Sequence, residues 1–549
     1  MGGGAFLVEE SAPESIFTAE DLSEEHLAIG RTAEEFFRKE IAPNLEALLH
    51  QEPGLGRHLL RKSAELGLTA VSIPEKFGGL ELDLASALVA AEGVGRDASY
   101  SAWHGSHCGI GTLPLLYFGT EEQKQKYLPR LASAEIVAAY ALTEPQAGSD
   151  AQAARTRADL TSDGAGYILN GQKMWITNGG EADLFTVFAK VGGDKLTAFL
   201  VERAFGGVTS GAEEKKMGLK GSSTTAVYFE NVQVPVSNVL GEIGRGHIIA
   251  FNILNIGRLK LGTLATVGAK RILELSIRYA KERQAFGSPI AKFGAIQHKL
   301  AEMAIRIFAA ESMAWRTVGL IQGTSGSTLE SIEEYAVECS MVKVYGSEVL
   351  DYAADEGVQI HGGYGFHQDY EVERFYRDSR INRIFEGTNE INRLLIPGML
   401  LKRAARGKLN LNRAAAESAG DEEARLPQNA KRIALLTLGL AFGKYQTALD
   451  KQQEILMNLA DIIMEVFAME SSWLRTRKAG RATEMCAVFL RDAMARIEQS
   501  ARNVLGACTE GEDLRSQMTA LRQLADYNPL NTVALRRKVA EGLLSKGRY

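Results

Sequence analysis

The sequence predicts an α+β fold that is mainly α: an N-terminal helical domain, a central antiparallel β domain, a helical bundle and a C-terminal helical extension. Apolar residues recur at i, i+3, i+4 and i+7 before and after the central region, which is the spacing of amphipathic helices. Between about Val137 and Val239 short β-type runs are separated by Gly, Asn and Asp turns. Because strands and helices are segregated, an alternating βαβ nucleotide domain is disfavoured. Neither GxGxxG after a strand nor a Walker A motif occurs.

Five segments follow from these patterns. Residues 1–136 form the helical domain, with "EEHLAIGRTAEEFFRKEIAP" as its clearest helix. Residues 137–245 form the β domain, with runs such as "GYILNGQKMWITNGG" and "LFTVFAKV". Residues 246–405 contain long helices with apolar stripes, as in an antiparallel bundle. The polar stretch 406–428 is predicted to be a linker, and residues 429–549 form the helical extension.

The net charge of -6 is distributed unevenly over the 549 residues. From Leu401 onward there are 24 Lys and Arg against 17 Asp and Glu, whereas the preceding residues carry 38 against 51. A basic extension on an acidic body suits an anionic partner such as a phospholipid surface or nucleic acid. The alternative is a solvated helical face.

The cysteines and the N-terminus indicate the compartment. The four cysteines are far apart, without CxxC or metal-ligand spacing, which suits free thiols in a reducing compartment: Cys108, Cys339, Cys486 and Cys508. No run of 18 apolar residues predicts a membrane-spanning helix. The N-terminus is acidic up to Arg31 and resembles neither a secretory signal nor a transit peptide. We therefore expect a cytoplasmic, bacterial location.

The extension leaves two interpretations open. Between Asn429 and Trp473 it is apolar on a broad face, and the basic run "RTRKAGR" (Arg475 to Arg481) follows. Such a helix could rest on a membrane surface, giving peripheral membrane contact. Alternatively, the apolar face docks against the body or a partner subunit.

The stretch "RIFEGTNEINRLL" contains the candidate catalytic residue. Glu386 is a lone acid between Phe385 and Gly387, just before a helix that Thr388 or Asn389 caps. Apolar neighbours would desolvate the carboxylate and raise its pKa toward that of a general base. The alternative is a solvated loop acid.

Four further stretches suggest ligand contacts. In "YALTEPQAGSD", backbone amides with Thr143 and Ser149 could hold a flat cofactor's polar edge or a phosphate. "KMWITNGG" places Trp175 on a strand, where core packing is the alternative. In "KERQAFGSPI", Arg283 could clamp a diphosphate, with a surface ion pair as the alternative. The glycines of "QIHGGYGF" permit close backbone approach, or form a plain helix C-cap.

Taken together, these motifs resemble those of the acyl-CoA dehydrogenases, flavoproteins that introduce an α,β double bond into acyl-CoA thioesters. The family's order and spacing are kept over about residues 25–400 by "LTEPQAGSD", "GQKMWITNGG", "ERQAFG", "GGYGF" and "RDSRINRIFEGTNEI". The chain is most similar to the very-long-chain branch, through "ILNIGR", "FGAIQHKL" and the basic C-terminal extension.

The resemblance implies FAD-dependent conversion of long-chain acyl-CoA to trans-2-enoyl-CoA in fatty-acid β-oxidation, with electrons passed to an electron-transferring flavoprotein. Glu386 matches the base that abstracts the pro-R α-proton, while the β-hydride passes to flavin N5. The Glu386 N–H and a flavin ribityl hydroxyl would stabilise the enolate. A branch of the family takes its base from the position before Arg258, but Gly257 occupies that position here.

The resemblance also implies ligand-binding residues. Two segments would line the isoalloxazine ring of FAD: Tyr140, Leu142, Thr143, Gly148 and Ser149 on one side, and Trp175, Ile176 and Thr177 on the other. The ADP part would be bound by residues from two subunits: Arg283, Phe286, Gln359, Gly362 and Gly363. Thr388 and Glu390 would contact the flavin phosphate. Acyl-CoA would contact Ser149, Asn255, Arg258 and Gly387. Glu390 departs from the family if an uncharged amide belongs there. The small residues Ala102 and Gly105 would deepen the acyl pocket, or merely serve helix packing.

The resemblance implies a homodimer, because the extension would occupy the surface through which shorter members of the family form tetramers. No nucleic acid is expected as a partner, since acids are interspersed with the basic residues of the extension. The alternative function is a binding role on the same fold, toward DNA or an anionic surface or as an assembly factor, with little turnover.

Overall fold

The computed structural model describes residues 2–411 and 421–549. In this part of the chain helices predominate, and the strands form one large sheet and a two-stranded ribbon. The predicted mainly helical α+β class is therefore confirmed. The chain separates into two compact units, Leu22–Gly257 and the combination of Met1–Asp21 with Arg258–Tyr549. The five predicted domain boundaries remain predictions.

The unit of residues 22–257 begins with seven α-helices. They are α1 (Glu24–Phe36), α2 (Leu45–Leu49), α3 (Leu55–Glu65), α4 (Leu84–Val94), α5 (Ala98–Gly105), α6 (Leu113–Phe118) and α7 (Glu121–Ala132). Capping boxes start two of them: Ser23 accepts a hydrogen bond from the His26 N–H, and Thr120 accepts one from the Gln123 N–H. Apolar faces of α1 to α5 share one core with the strands that follow.

The strands of this unit form an eight-stranded sheet. They are β1 (Ala138–Ala141), β2 (Arg157–Leu160), β3 (Gly166–Thr177), β4 (Leu184–Val191), β5 (Lys195–Glu202), β6 (Val208–Glu213), β7 (Thr224–Pro235) and β8 (Val239–Leu240). The order is β6-β7-β3-β2-β4-β5-β8, with β1 also beside β4. The sheet of the predicted antiparallel β domain is mixed: most neighbouring strands are antiparallel, but β1 and β2 both pair with β4 in parallel. Strand β3 lies between β2 and β4 in sequence and runs antiparallel to β2, so the chain returns to the end of the sheet from which a parallel strand can start.

The other unit is a helical bundle. Helix α8 (Gly246–Glu282) runs through the boundary at Gly257. It is followed by β9 (Gln284–Ala285), β10 (Ser288–Pro289), α9 (Gly294–Gln322), α10 (Thr328–Glu334), α11 (Ala336–His361), α12 (Glu371–Ser379) and α13 (Asn389–Ala405). Among the described helices, α8 alone is long and apolar enough to cross a membrane, but 67% of its most apolar window is buried. Such burial is typical of a core helix.

The extension continues the bundle. It comprises α14 (Glu422–Tyr445), α15 (Gln453–Ala479), α16 (Thr483–Cys508), α17 (Gly511–Ala525) and α18 (Thr532–Lys546). Residues 412–420 of the predicted linker lie outside the described residues. Within the rest of that stretch, α14 begins at Glu422, and Asp421 caps it by accepting from the Ala424 N–H at 3.0 Å. A capping aspartate stabilises the start of a helix, here inside a polar stretch.

The apolar face of the extension is docked within this unit. Leu459, Ile463 and Phe467 of α15 are buried, and α15 packs against α9 and α13. Every Arg and Lys of "RTRKAGR" has an acidic partner: Arg475 pairs with Glu20 and Glu311, Arg477 with Asp421, Lys478 with Asp21 and Arg481 with Glu20. The docking interpretation is therefore confirmed. The predicted peripheral membrane contact depended on an exposed apolar face and on free basic residues. In the structure the apolar face is buried and the basic residues are paired with acids.

Candidate active site

Glu386 lies in a strained turn immediately before α13. Its φ is +58° and that of Gly387 is +82°, so two successive residues adopt left-handed conformations. A non-glycine residue in this region is uncommon and costs free energy. At Gly387 a Cβ would lie 3.2 Å from Asn392 Nδ2 and 3.4 Å from Arg258 Nη2, so glycine fits best. Thr388 caps α13 by accepting from the Ile391 N–H at 3.2 Å.

Three side chains hold the carbonyls of this turn. Arg258 Nε donates to the Glu386 carbonyl at 3.1 Å. Lys343 Nζ and Asn392 Nδ2 both donate to the Gly387 carbonyl at 2.8 Å. All three side chains are buried. The backbone is thereby fixed from three directions, which determines where the Glu386 side chain begins.

The Glu386 carboxylate is not held in the same way. Its Oε2 atom is buried and has no hydrogen-bond partner within the described residues. Burial raises the pKa of Glu386 to about 7, although the nearby Arg258 and Lys343 charges act to lower that pKa. A carboxylate with a buried oxygen that lacks a hydrogen-bond partner among the described residues, and with a pKa near neutrality, is suited to accept a proton. The alternative of a solvated loop acid is therefore wrong.

Lys343 is a functional candidate that the sequence reasoning missed. It lies in α11, and burial lowers the pKa of its ammonium group to about 7, against the raising effect of Glu386. Its Nζ also donates to Asn389 Oδ1 at 2.7 Å. The available signal was a single lysine inside the apolar run "CSMVKVYG" of a core helix, since lysine is seldom fully buried.

The predicted isoalloxazine segments adjoin one another in the unit of residues 22–257. The Met174 N–H donates to the Thr143 carbonyl at 2.9 Å, which joins the loop after β1 to β3. Tyr140, Leu142 and Ile176 are buried, whereas Thr177 is half-buried. Gly148 and Ser149 are exposed at the far end of the loop.

Trp175 contradicts the core-packing alternative. It is 60% exposed and has a φ of +55°. The β3–β7 register is irregular between Lys173 and Ile176, and this irregularity turns the indole away from the core.

A buried ion pair supports the loop after β1, and sequence reasoning missed it as well. Glu144 accepts hydrogen bonds from Lys173 Nζ at 2.7 Å, from the Thr156 N–H and hydroxyl at 3.0 and 2.6 Å, and from the Arg155 N–H at 2.6 Å. Lys173 Nζ also donates to the Leu142 carbonyl at 3.1 Å. The loop that contains Gly148 is thus closed at its base by a fully buried carboxylate and ammonium.

The predicted ADP-binding residues all lie on the surface of the bundle unit: Arg283, Phe286, Gln359, Gly362 and Gly363. The Arg283 guanidinium lies over the Tyr364 ring at 5.5 Å rather than in a surface ion pair with a described acid. Phe286 is 97% exposed and has a φ of +52°. Gly362 terminates α11 with a φ of +61°, so the C-cap alternative is correct for that residue.

The remaining predicted contacts are divided. Asn255 and Arg258 are buried and lie three residues apart on α8. Glu390 is exposed in the first turn of α13, where its own backbone N–H lowers the pKa of its carboxyl. The structure therefore groups Arg258, Gly387 and Thr388 around Glu386, whereas Glu390 lies on the surface.

Sequence profiles of known families cover most of the chain. Residues 23–135 match the profile described as "Acyl-CoA dehydrogenase, N-terminal domain", and residues 139–232 match the corresponding "middle domain". Two profiles described as "Acyl-CoA dehydrogenase, C-terminal domain" match residues 244–400 and 429–523.

Individual relatives agree with these profiles. The chain is 48% identical to a "Probable acyl-CoA dehydrogenase" of Bacillus subtilis, over 100% of this chain and 98% of the relative. It is 45% identical to the "Very long-chain specific acyl-CoA dehydrogenase, mitochondrial" of Rattus norvegicus, over 60% of this chain and 51% of that protein. A crystal structure of "Acyl-CoA Dehydrogenase complexed with FAD from Bacillus anthracis" is 48% identical, covers 100% of both chains and superposes with a TM-score of 0.98.

Proposed function

This chain belongs to the acyl-CoA dehydrogenase family of FAD-dependent oxidoreductases, and we propose that it converts long-chain acyl-CoA thioesters to trans-2-enoyl-CoA in fatty-acid β-oxidation. The observation that carries this proposal is the Glu386 turn. A carboxylate with a buried, unpaired oxygen and a pKa of about 7 is held there by donors to its backbone.

Glu386 acts as the general base in this proposal. The α-proton of a thioester is weakly acidic, so its removal requires a base of matched pKa and a stabilised enolate oxygen. Burial supplies the first by raising the pKa of Glu386 to about 7. The Glu386 backbone N–H is the proposed donor to the thioester carbonyl. Arg258 and Lys343 restrain the turn that positions this N–H, because they hold the two adjoining carbonyls.

The predicted cofactor residues fit FAD. Trp175 and Phe286 present aromatic rings to the surface instead of burying them, as contacts for a flat ring system would. A Cβ added to Gly148, Gly362 or Gly363 would meet no heavy atom within 4 Å, which leaves room for a ligand near the backbone. FAD, when bound, supplies the two-electron acceptor for the β-hydride.

Long-chain specificity rests on two observations. A Cβ added to Gly105 on α5 would meet no heavy atom within 4 Å, and the same holds for Gly109 just beyond that helix. Open space beside small residues is what an extended acyl chain requires, whereas close packing around Gly105 was the alternative. The very-long-chain enzyme of Rattus norvegicus is also similar over 60% of this chain.

The remaining parts of the proposal concern partners and location. We propose that electrons pass to an electron-transferring flavoprotein, and that two copies of the chain form a homodimer whose ADP-binding residues come from both subunits. A bacterial cytoplasmic location is supported by the Bacillus subtilis relative that matches the whole chain.

The test is anaerobic bleaching of the bound flavin by saturated acyl-CoAs from butyryl-CoA to eicosanoyl-CoA. We expect the oxidised flavin band to disappear with long-chain substrates, and to persist in Glu386→Gln. Gly105→Val should move the preference toward shorter chains, because its Cβ enters a space in which no heavy atom lies within 4 Å. A flavin that no acyl-CoA reduces would refute the dehydrogenase assignment and favour a binding role. Unchanged preference in Gly105→Val would refute the pocket assignment alone.

A further inference from the structure

Lys343 is the centre of a hydrogen-bonded group that links α11 to the start of α13. Its ammonium donates to the Gly387 carbonyl at 2.8 Å and to Asn389 Oδ1 at 2.7 Å. Neither acceptor is a carboxylate, so the charge of this buried lysine has no direct ion-pair partner in the group. Burying a cation on neutral acceptors is costly, and an apolar side chain would fill the same space at lower cost. A purely structural role therefore explains the residue poorly.

Asn389 is itself held in place. Its Nδ2 donates to Ser347 Oγ at 3.0 Å and to Glu348 Oε1 at 3.1 Å. Glu348 accepts two hydrogen bonds from Arg393, at 2.6 and 2.9 Å. These hydrogen bonds connect α11 to α13, and they therefore fix the position of the Lys343 ammonium relative to the Gly387 carbonyl.

The same ammonium is close enough to act electrostatically on Glu386. Two cations face that carboxylate, Arg258 from α8 and Lys343 from α11. Glu386 acts on both cations, and Arg258 acts on Lys343; the other groups that act on them are Glu348 and Glu390, near Lys343, and Cys339, near Arg258. An opposite charge beside a buried carboxylate favours its ionised form. Loss of the Lys343 charge would therefore raise the pKa of Glu386, so that this carboxyl deprotonates only at higher pH.

We propose that Lys343 is a positioning residue for the reaction, which orients the Glu386–Gly387 turn through the Gly387 carbonyl and, through its charge, favours the ionised form of Glu386. This inference rests on the proposed role of Glu386 as the base. It assigns two separable contributions to one side chain, a hydrogen bond and a charge.

Two substitutions separate these contributions. Lys343→Met removes the charge and the donors while keeping the length of the side chain. Lys343→Gln removes the charge but retains an N–H donor on a shorter chain. The matched control is Lys431→Met, because Lys431 is also a buried lysine. Its Nζ donates to the Glu9 carbonyl at 2.8 Å and to the side chain of Glu470. Lys431 lies on α14, outside the group around Glu386.

The measurement is kcat/KM against pH, with the acyl-CoA that bleaches the wild-type flavin fastest, together with flavin content and melting temperature. The acidic limb of kcat/KM reports the base in the free enzyme. We expect this limb to lie near the pKa of about 7 in the wild type and in Lys431→Met, and at higher pH in both Lys343 variants. Lys343→Met should also lose about tenfold or more in the high-pH plateau, because the turn is no longer held.

The outcomes distinguish this inference from the proposed function. If the acidic limb of Lys343→Gln coincides with that of the wild type, or if Lys431→Met shifts it equally, the assignment to Lys343 is overturned. Should Lys343→Met lose its flavin or fail to fold, the pH profile of Lys343→Gln decides. If no acyl-CoA bleaches the wild-type flavin, it is the role of Glu386 that fails.

Discussion

Replacing Glu386 by Gln should stabilise the fold at high pH while abolishing the proposed reaction. The pKa of this carboxyl is about 7 in the folded protein, against a reference value of 4.5. The folded state therefore binds the proton more tightly than the unfolded state. As the pH rises from 4.5 toward 7, the unfolded state releases its proton first, and the wild type loses stability over this window. Above it the loss is complete and constant.

The size of the effect follows from the difference between the two pKa values. Each pKa unit corresponds to about 1.4 kcal/mol, so a rise from 4.5 to about 7 means that the ionised carboxylate costs the fold at most about 3–4 kcal/mol. Glutamine has nearly the same shape but carries no charge, so its burial does not include the free-energy cost of an ionised group. Part of the gain is offset because Arg258 and Lys343 lose a neighbouring negative charge. We expect a net stabilisation of about 1–3 kcal/mol above neutrality.

The assay is the melting temperature of the flavin-bound protein at about pH 5 and about pH 8. Glu386→Gln should melt above the wild type at the higher pH and close to it at the lower pH. The control is Glu512→Gln, since the Glu512 side chain is 85% exposed on α17, where neutralisation should change little at either pH. A Glu386→Gln protein that is no more stable than the wild type at about pH 8, or equally stabilised at both pH values, would show that the pKa of Glu386 is not raised in the folded protein.

Three further changes have defined outcomes. Gly387→Ala should cost about 1–2 kcal/mol, because the left-handed conformation disfavours a Cβ, and should slow flavin bleaching; an unchanged bleaching rate would contradict this. Lys173→Met leaves the Glu144 carboxylate buried without its cation, so we expect a loss of about 3–5 kcal/mol in thermal unfolding and a lower flavin content. Full flavin retention at wild-type stability would show that this pair does not support the loop. Phe6→Ala should destabilise the protein by about 3–5 kcal/mol, because Phe6 is 3% exposed and its ring lies 4.8 Å from that of Phe467; a melting temperature equal to the wild type would contradict the packing of Phe6 against Phe467.

Local patterns were sufficient for the classes of structure. Apolar periodicity predicted the helices on both sides of the sheet, because an amphipathic helix must repeat its buried face every three or four residues. A lone acid between Phe385 and Gly387 was sufficient to single out Glu386, and the family motifs identified the chemistry. Sequence neighbours are enough for such inferences because each depends on a short stretch of chain.

Local sequence patterns did not predict contacts between residues that are distant along the chain. The parallel pairing of β1 and β2 with β4 depends on how the chain returns, which no single strand encodes. The exposure of Trp175 follows from an irregular β3–β7 register. The docking of α15 and the acidic partners of "RTRKAGR" were likewise invisible in composition, since one sequence face suits a membrane or a protein core equally.

The same limit applies to the base. Sequence identified Glu386, but the pKa of its carboxyl depends on burial and on Arg258 and Lys343, which are respectively 128 and 43 residues away along the chain. Electrostatic energies depend on distance through space and on exclusion of water. Both arise when α8, α11 and α13 pack together, and so the chemistry of this carboxylate is a property of the fold.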